Sequence, residues 1–528
     1  MFAQNGFAFQ STEDSTVLLR ERAGFLAFPA PNDKELAQLT RQVAANNGFD
    51  RSDKTEADKR LFAELRRHIK HVVYIVKENR SYDQILGDLE IGDGDPRLTL
   101  FPESLTPNHH ALARIFVVLD NFLVSGEGSW TGWQWSTAGR TSVFAERNDF
   151  VNLAQRGGGD RQEPLNPSDP DDLAGDRDAD EFDGPHGELG QGYLWDSALR
   201  AGKTVRSYGF WAWSNKSPAL REPFREGVKT AVTTIPSLAP YSDPYMPPAI
   251  RVPDFWRIRE WKREFDGYIK SGDLPDLVLI QLPGDHFGQY QTVLDGVDTP
   301  DKQMADNDYA LGTIIEAVAK SRFADSTLVI AIEDDTWDGV DHVDAFRSPI
   351  FLAGPYVKQG GTLISTRYTT VNVIKTITEL LGAGPVSIND AIATPMTEVF
   401  DLSRQNWTYQ ANVPDILYST KLPLPPRSGS IASCVLNAEH DAAYWAKAMA
   451  EQDDSHIDAG RFGTGNQALW LGLKGDQPYP ETRTGENLRS NRDVLLAASR
   501  AKVREICLGT RGLVRASSPF PGGEVPQK

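Results

Sequence analysis

HVVYIVKENR, residues 71–80, decides the fold: a continuous apolar, β-rich run ends directly in Lys77, Glu78, Asn79 and Arg80. A strand without polar alternation is buried on both faces, as in a parallel sheet covered by helices. The same grammar recurs at 115–124 (IFVVLDNFLV), 276–286 (DLVLIQLPGDH), 327–335 (TLVIAIEDD) and 348–357 (SPIFLAGPYV). Helical periodicity at 306–320 and 371–381 falls between these runs, so strand and helix alternate. That order predicts an α/β fold with a doubly wound, mostly parallel sheet, and ligands at the carboxyl ends of the strands.

The chain has 528 residues, 40% of them hydrophobic and 24% charged, enough to bury one large core or two ordinary domains. Its formal net charge of -18 argues against a nucleic-acid partner, which needs clustered Lys and Arg, and fits carboxylate-rich cation sites. Cys434 and Cys507 are too few for a disulfide framework or a cysteine zinc site. No run reaches the roughly 18 apolar residues of a membrane span, and the first residues lack the basic start and apolar stretch of a signal peptide.

Residues 31–68 are expected to form a helical lead-in, with Leu36, Leu39 and Val43, then Leu61 and Leu65, at helical spacing. A catalytic domain is expected over 69–405, interrupted at 152–190 by a long acidic loop. That loop departs from a calcium-binding pattern because Glu181 stands where an EF-hand starting at Asp176 needs glycine. A Pro-rich and helical extension over 406–528, with helices at 442–450 and 492–506, is expected to pack on the catalytic domain.

Chemistry gathers where apolar runs end. Glu78 and Asn79 offer hard oxygen donors after the first. Asp285 and His286 follow another, and Glu333, Asp334 and Asp335 a third, trailed by Asp338, Asp341, His342 and Asp344. Adjacent carboxylates repel unless a cation neutralises them. In DNFLVSGEGSWTGWQWSTAGR, 120–140, Ser129 lies between glycines ahead of a helical pattern, a setting suited to a phosphoryl nucleophile but equally to a helix cap. No G-x-S-x-G surrounds it, so a metal is the better activator of its hydroxyl. Oxygen and nitrogen donors without thiolate suit zinc, manganese, magnesium, calcium or iron alike.

The strings HVVYIVKENRSYDQILGD, TPNHHALA, LDNF..SGE.S..GW.WSTA, LPGDH, MADNDYALG and EDD..DG.DHVDA.RSP resemble the bacterial phosphoesterase family of phospholipases C and acid phosphatases, within the alkaline phosphatase superfamily. The likeness runs from about 68 to 401 and is strongest to the subgroup fused to a YncE-like β-propeller, so that residues 1–30 resemble the remnant of a propeller blade. It implies an alkaline-phosphatase-like, three-layer α/β/α fold. It also implies one or two divalent metal ions, the first held by Glu78, Asn79, Ser129, Asp334 and Asp335. Ser129 would attack phosphorus and form a phosphoserine, while Asp285, His286 and His342 would hold a second metal or the phosphate. Asn121, His109 and His110 match positions near the cleft. Trp133 stands where many relatives carry His, and Gly128 and Trp130 also depart from the usual nucleophile motif.

The expected activity is metal-dependent hydrolysis of phosphomonoesters or phosphodiesters, on a small-molecule or lipid head-group substrate, in an extracytoplasmic setting as the resemblance implies. The alternatives are a phospholipase C, for which Trp130, Trp133, Trp135, Phe210, Trp211 and Trp213 could supply an apolar rim, and a catalytically impaired metal- and phosphate-binding module. Aromatic clusters are more often core. A sulfatase is disfavoured because Ser129-Trp130-Thr131-Gly132-Trp133 lacks the C/S-x-P-x-R string.

Overall fold

The computed structural model describes residues 29–46, 56–126, 128–141, 192–214, parts of 227–246, 250–337, 339–403, 406–427, 437–450 and 462–480. The readings made for residues 1–28, the acidic stretch 152–190, both cysteines and the helix at 492–506 lie outside them, as do the side chains of Trp130 and Trp213.

In chain order the first elements are α1 (Asp33–Asn46), α2 (Glu56–His68), β1 (His71–Lys77), α3 (Tyr82–Leu86), α4 (Pro107–Ile115), β2 (Val117–Leu119), β3 (Phe122–Leu123) and α5 (Ser129–Ala138). Then come α6 (Leu194–Arg200), β4 (Val205–Tyr208), β5 (Ala212–Ser214), β6 (Ala231–Thr233), α7 (Asp254–Ser271), β7 (Leu277–Leu282) and α8 (Pro300–Ala319). The remainder are β8 (Thr327–Glu333), β9 (Ile350–Ala353), β10 (Thr362–Ile364), β11 (Tyr368–Thr369), α9 (Thr370–Leu381), α10 (Ile388–Ile392), α11 (Ala442–Ala448) and α12 (Phe462–Lys474).

The central sheet has the strand order β4-β7-β1-β8-β9, with β4, β7, β1 and β8 parallel and β9 antiparallel at one edge. Every residue of β7 and β8 is buried, as continuous apolar runs require. Each fully buried Val, Leu or Ile there contributes about 1.5–3 kcal/mol. Two helical groups flank the sheet: α9 packs on α2, α5, α6 and β1, while α8 packs on α4, α7 and β7. The expected three-layer arrangement follows.

The run at 115–124 is not one strand of that sheet. Ile115 closes α4, and a turn at Asp120 and Asn121 splits the rest into β2 and β3, which pair with β10 and β11 in separate two-stranded ribbons. Val117, Val118, Leu119 and Phe122 are buried all the same, so the apolar run reported burial and not sheet membership. The reading at 348–357 shrinks to β9, and the helix read at 306–320 begins at Pro300, where the Thr299 hydroxyl accepts the Lys302 N–H. No helix among the described residues is long and apolar enough to cross a membrane.

Candidate active site

Parallel pairing brings three polar strand ends together. Lys77 stands opposite both Leu282 and Glu333, so the segments after β1, β7 and β8 leave the sheet side by side. Lys77, Glu78, Asn79, Arg80, Asp285, Glu333, Asp334 and Asp335 are all buried there, two cations facing five carboxylates. Lys77 Nζ lies 2.8 Å from Asp285 Oδ2 and 2.5 Å from Glu333 Oε1. Burial works against the ammonium, but Asp285 and Glu333 outweigh it and raise the Lys77 pKa. Glu333 moves the other way from an ordinary carboxylate: burial, then the charge of Asp285, push its pKa well up.

Ser129 is the first residue of α5, with Gly128 extended as its N-cap. Its hydroxyl donates to Asp335 Oδ2 at 2.9 Å, and Asn79 Nδ2 reaches the same pair, 3.2 Å from Ser129 Oγ and 3.2 Å from Asp335 Oδ2. Two glycines make this approach possible. A Cβ on Gly132 would sit 2.6 Å from the Asp334 carbonyl oxygen, and one on Gly126 would sit 2.3 Å from the Gly132 nitrogen. The loop, the helix and the end of β8 are therefore in backbone contact, which seats the helix N-terminus, with its positive dipole end, over the carboxylates.

Glu78 is oriented by its neighbours. Trp133 Nε1 donates to Glu78 Oε1 at 2.6 Å and Gln281 Nε2 at 3.3 Å, while the Glu78 N–H donates to Asp285 Oδ1 at 3.0 Å. Trp133 thus presents a nitrogen donor to the Glu78 carboxylate. Its ring meets Phe210 and Trp211 edge-on, at centroid separations of 5.1 and 6.1 Å, and all three are buried, so these aromatics form core and not an exposed rim.

Asn79, Ser129 and Asp335 are brought into mutual contact, with Glu78 and Asp334 adjoining them in the chain and all five fully buried. These hard oxygen donors, amid more carboxylates than cations, suit a divalent ion such as Mg2+, Mn2+, Ca2+, Zn2+ or Fe2+. Asn79 presents its amide nitrogen to Ser129; a half-turn of the amide offers the oxygen instead.

Of the other expected residues, Asp285 joins the same strand-end cluster and the rest have partners of their own. Asp285 Oδ1 accepts from Glu78 and from Asn307 Nδ2 at 3.2 Å, and its Oδ2 faces Lys77. His286 lies on a short turn, Pro283–His286, with Nδ1 3.2 Å from the Phe287 carbonyl oxygen. His342 Nδ1 is 2.5 Å from Asp83 Oδ2. Among the described residues, Asp83, Asp341 and His342 form the one His/Asp group compact enough to share an ion, but Arg347 already pairs with Asp83 and Asp341 at 2.9 Å each. That guanidinium supplies a neutralising charge to both carboxylates. His109 Nδ1 contacts Asp308 Oδ1 at 2.5 Å, His110 Nε2 contacts Asp88 Oδ1 at 2.8 Å, and Asn121 donates to the Ser365 carbonyl. None of these three bonds reaches Ser129.

Lys77 and Arg80, which the sequence shows only as polar residues closing the first apolar run, also belong to the site. Arg80 is buried between Phe287 and Trp337, its guanidinium carbon 4.4 and 5.4 Å from the ring centroids. Burial, partly offset by Asp285, lowers its pKa to about 10, so it stays charged at neutral pH. The signal for Lys77 was its place in register with the ends of β7 and β8, which only the pairing reveals.

The sequence matches no family model and no curated protein. Among solved structures, a protein in the alkaline phosphatase superfamily from Vibrio parahaemolyticus aligns over 65% of this chain and 78% of its own, with 16% identity and a TM-score of 0.36. The lipoteichoic acid synthase LtaP from Listeria monocytogenes aligns over 84% of this chain and 99% of its own, with 12% identity and a TM-score of 0.38. The phosphonate monoester hydrolase SpPMH from Silicibacter pomeroyi aligns over 83% and 95%, with 12% identity and a TM-score of 0.35.

Proposed function

We propose that the protein hydrolyses phosphoric esters through Ser129, beside a divalent ion held by Glu78, Asn79, Ser129, Asp334 and Asp335. The observation that carries this reading is the Ser129 hydroxyl at a helix N-terminus, 2.9 Å from a buried carboxylate of Asp335. The bound ion would supply Lewis-acid neutralisation of the phosphoryl oxygens and favour the deprotonated serine.

The residues supply the rest. Asp335 accepts the Ser129 proton as Oγ forms its bond to phosphorus and the ester oxygen leaves. The first-turn N–H groups of α5 face the developing negative charge without reorganising. Trp133 and Gln281 hold Glu78 in place, and Asn79 spans nucleophile and carboxylate. Water then attacks the phosphoserine, the bond from phosphorus to Oγ breaks, Ser129 takes its proton back from Asp335, and the proton that water releases balances the departed ester oxygen. The buried packing of Trp133, Phe210 and Trp211 favours a water-soluble ester over a bilayer lipid. Acid-quenching the enzyme during turnover of p-nitrophenyl phosphate, followed by peptide mass spectrometry, should find phosphate on Ser129. Steady turnover with label on another residue, or on none, would contradict this reading.

A further inference from the structure

Of the buried polar groups at the strand ends, one is a cation whose position the proposed chemistry does not use. Lys77 Nζ lies between Asp285 Oδ2 and Glu333 Oε1, at 2.8 and 2.5 Å, with all three side chains at most 1% exposed. Asp285 is committed on its other oxygen as well, to the Glu78 N–H at 3.0 Å and to Asn307 at 3.2 Å. A divalent ion placed between two carboxylates occupies the point an ammonium occupies in an ion pair, because both are compact positive charges ringed by oxygen. The two cannot share that point.

We propose that the Lys77 ammonium is the resident cation of the Asp285–Glu333 pair, so that the strand-end site takes one divalent ion, on the Ser129 side, and not two. The proposal rests on the metal-dependent reading above. It assigns Lys77 a positioning role. By pairing with Asp285 it fixes the carboxylate that receives the Glu78 N–H, and by pairing with Glu333 it holds the acid that precedes Asp334 and Asp335 in the chain. Of the residues expected to hold a second metal, Asp285 is thereby withdrawn.

The test is metal stoichiometry of the purified full-length chain, stripped with EDTA, titrated with Mn2+ and with Zn2+, and read by native mass spectrometry and elemental analysis. Wild type and Lys77→Arg are expected to hold one equivalent each, and folded Lys77→Met two. A second equivalent in wild type overturns the proposal while leaving metal-dependent hydrolysis standing, and so does a folded Lys77→Met that still holds one. Turnover by wild type with no bound metal overturns both readings. Should Lys77→Met fail to fold, the wild-type stoichiometry decides alone.

Discussion

Glu78 receives a hydrogen bond from an indole, which ties the aromatic core to a strand-end carboxylate. Trp133→Phe keeps the edge-on packing against Phe210 and Trp211 but deletes the 2.6 Å donor to Glu78. Gln281 remains as the longer donor to the same oxygen, so the loss is that of one hydrogen bond to a charged group, about 1.5–3 kcal/mol. Outer partners of metal-binding groups typically change affinity about 10–100-fold. Weaker Mn2+ binding by Trp133→Phe, in titration calorimetry, is the expected result; unchanged affinity would show that Glu78 does not hold the ion. His109 makes a second prediction. Burial, then the charge of Lys77, lowers its pKa to about 4, so the folded ring is neutral and donates to Asp308. An unfolded histidine titrates near 6.5. Above about pH 6.5 both states are neutral and the contribution is whole. As pH falls toward about 4 the unfolded chain takes the proton first, and about 3 kcal/mol is lost. Urea midpoints of wild type should fall across that window more steeply than those of His109→Gln, and parallel curves would contradict the assignment.

At the scale of elements, the register of β1 between β7 and β8 assembles the strand ends, and the contact of α5 with β8 adds the serine. Gly132→Ala would place a methyl group 2.6 Å from the Asp334 carbonyl oxygen and push α5 away. Overpacking of this kind costs about 1–3 kcal/mol. Turnover should drop at least about tenfold, since small misplacements of a nucleophile carry penalties of that order. Circular dichroism should still show a folded chain, and retained turnover would mean that the close approach does not position Ser129. Much of this was legible in sequence. The runs ending in Lys77, Leu282 and Glu333 are strands because short, mostly apolar runs rich in Val, Ile and Leu announce burial on both faces. Other features were not. Nothing local distinguishes 117–119 and 122–123 from a central strand, because pairing with β10 and β11 is decided by chain far downstream. The cation for Glu333 was equally hidden. Three adjacent acids suggested a metal, yet one of them is answered by Lys77, 256 residues earlier.

For the molecule as a whole, a small part of the acidic excess lies at the carboxyl edge of the sheet, where five buried carboxylates face two cations. Asn79, Ser129 and Asp335, far apart in sequence, meet there. His109, His110, Asn121 and His342 do not share those bonds, which shows why motif positions alone could not sort ligands from structural residues: a histidine held by Asp308, Asp88 or Asp83 has the same sequence signature as one poised over a substrate. The central claim is that Ser129 acts with a divalent ion on phosphoric esters. The measurement that tests it most directly is hydrolysis of p-nitrophenyl phosphate and bis-p-nitrophenyl phosphate by wild type and Ser129→Ala, each after EDTA treatment and after return of Mn2+, Mg2+, Ca2+, Zn2+ or Fe2+. The expected result is wild-type turnover that vanishes with EDTA, returns with at least one metal, and falls by about a thousandfold or more in a folded Ser129→Ala. Turnover that survives in Ser129→Ala, or that EDTA leaves untouched, would contradict the account.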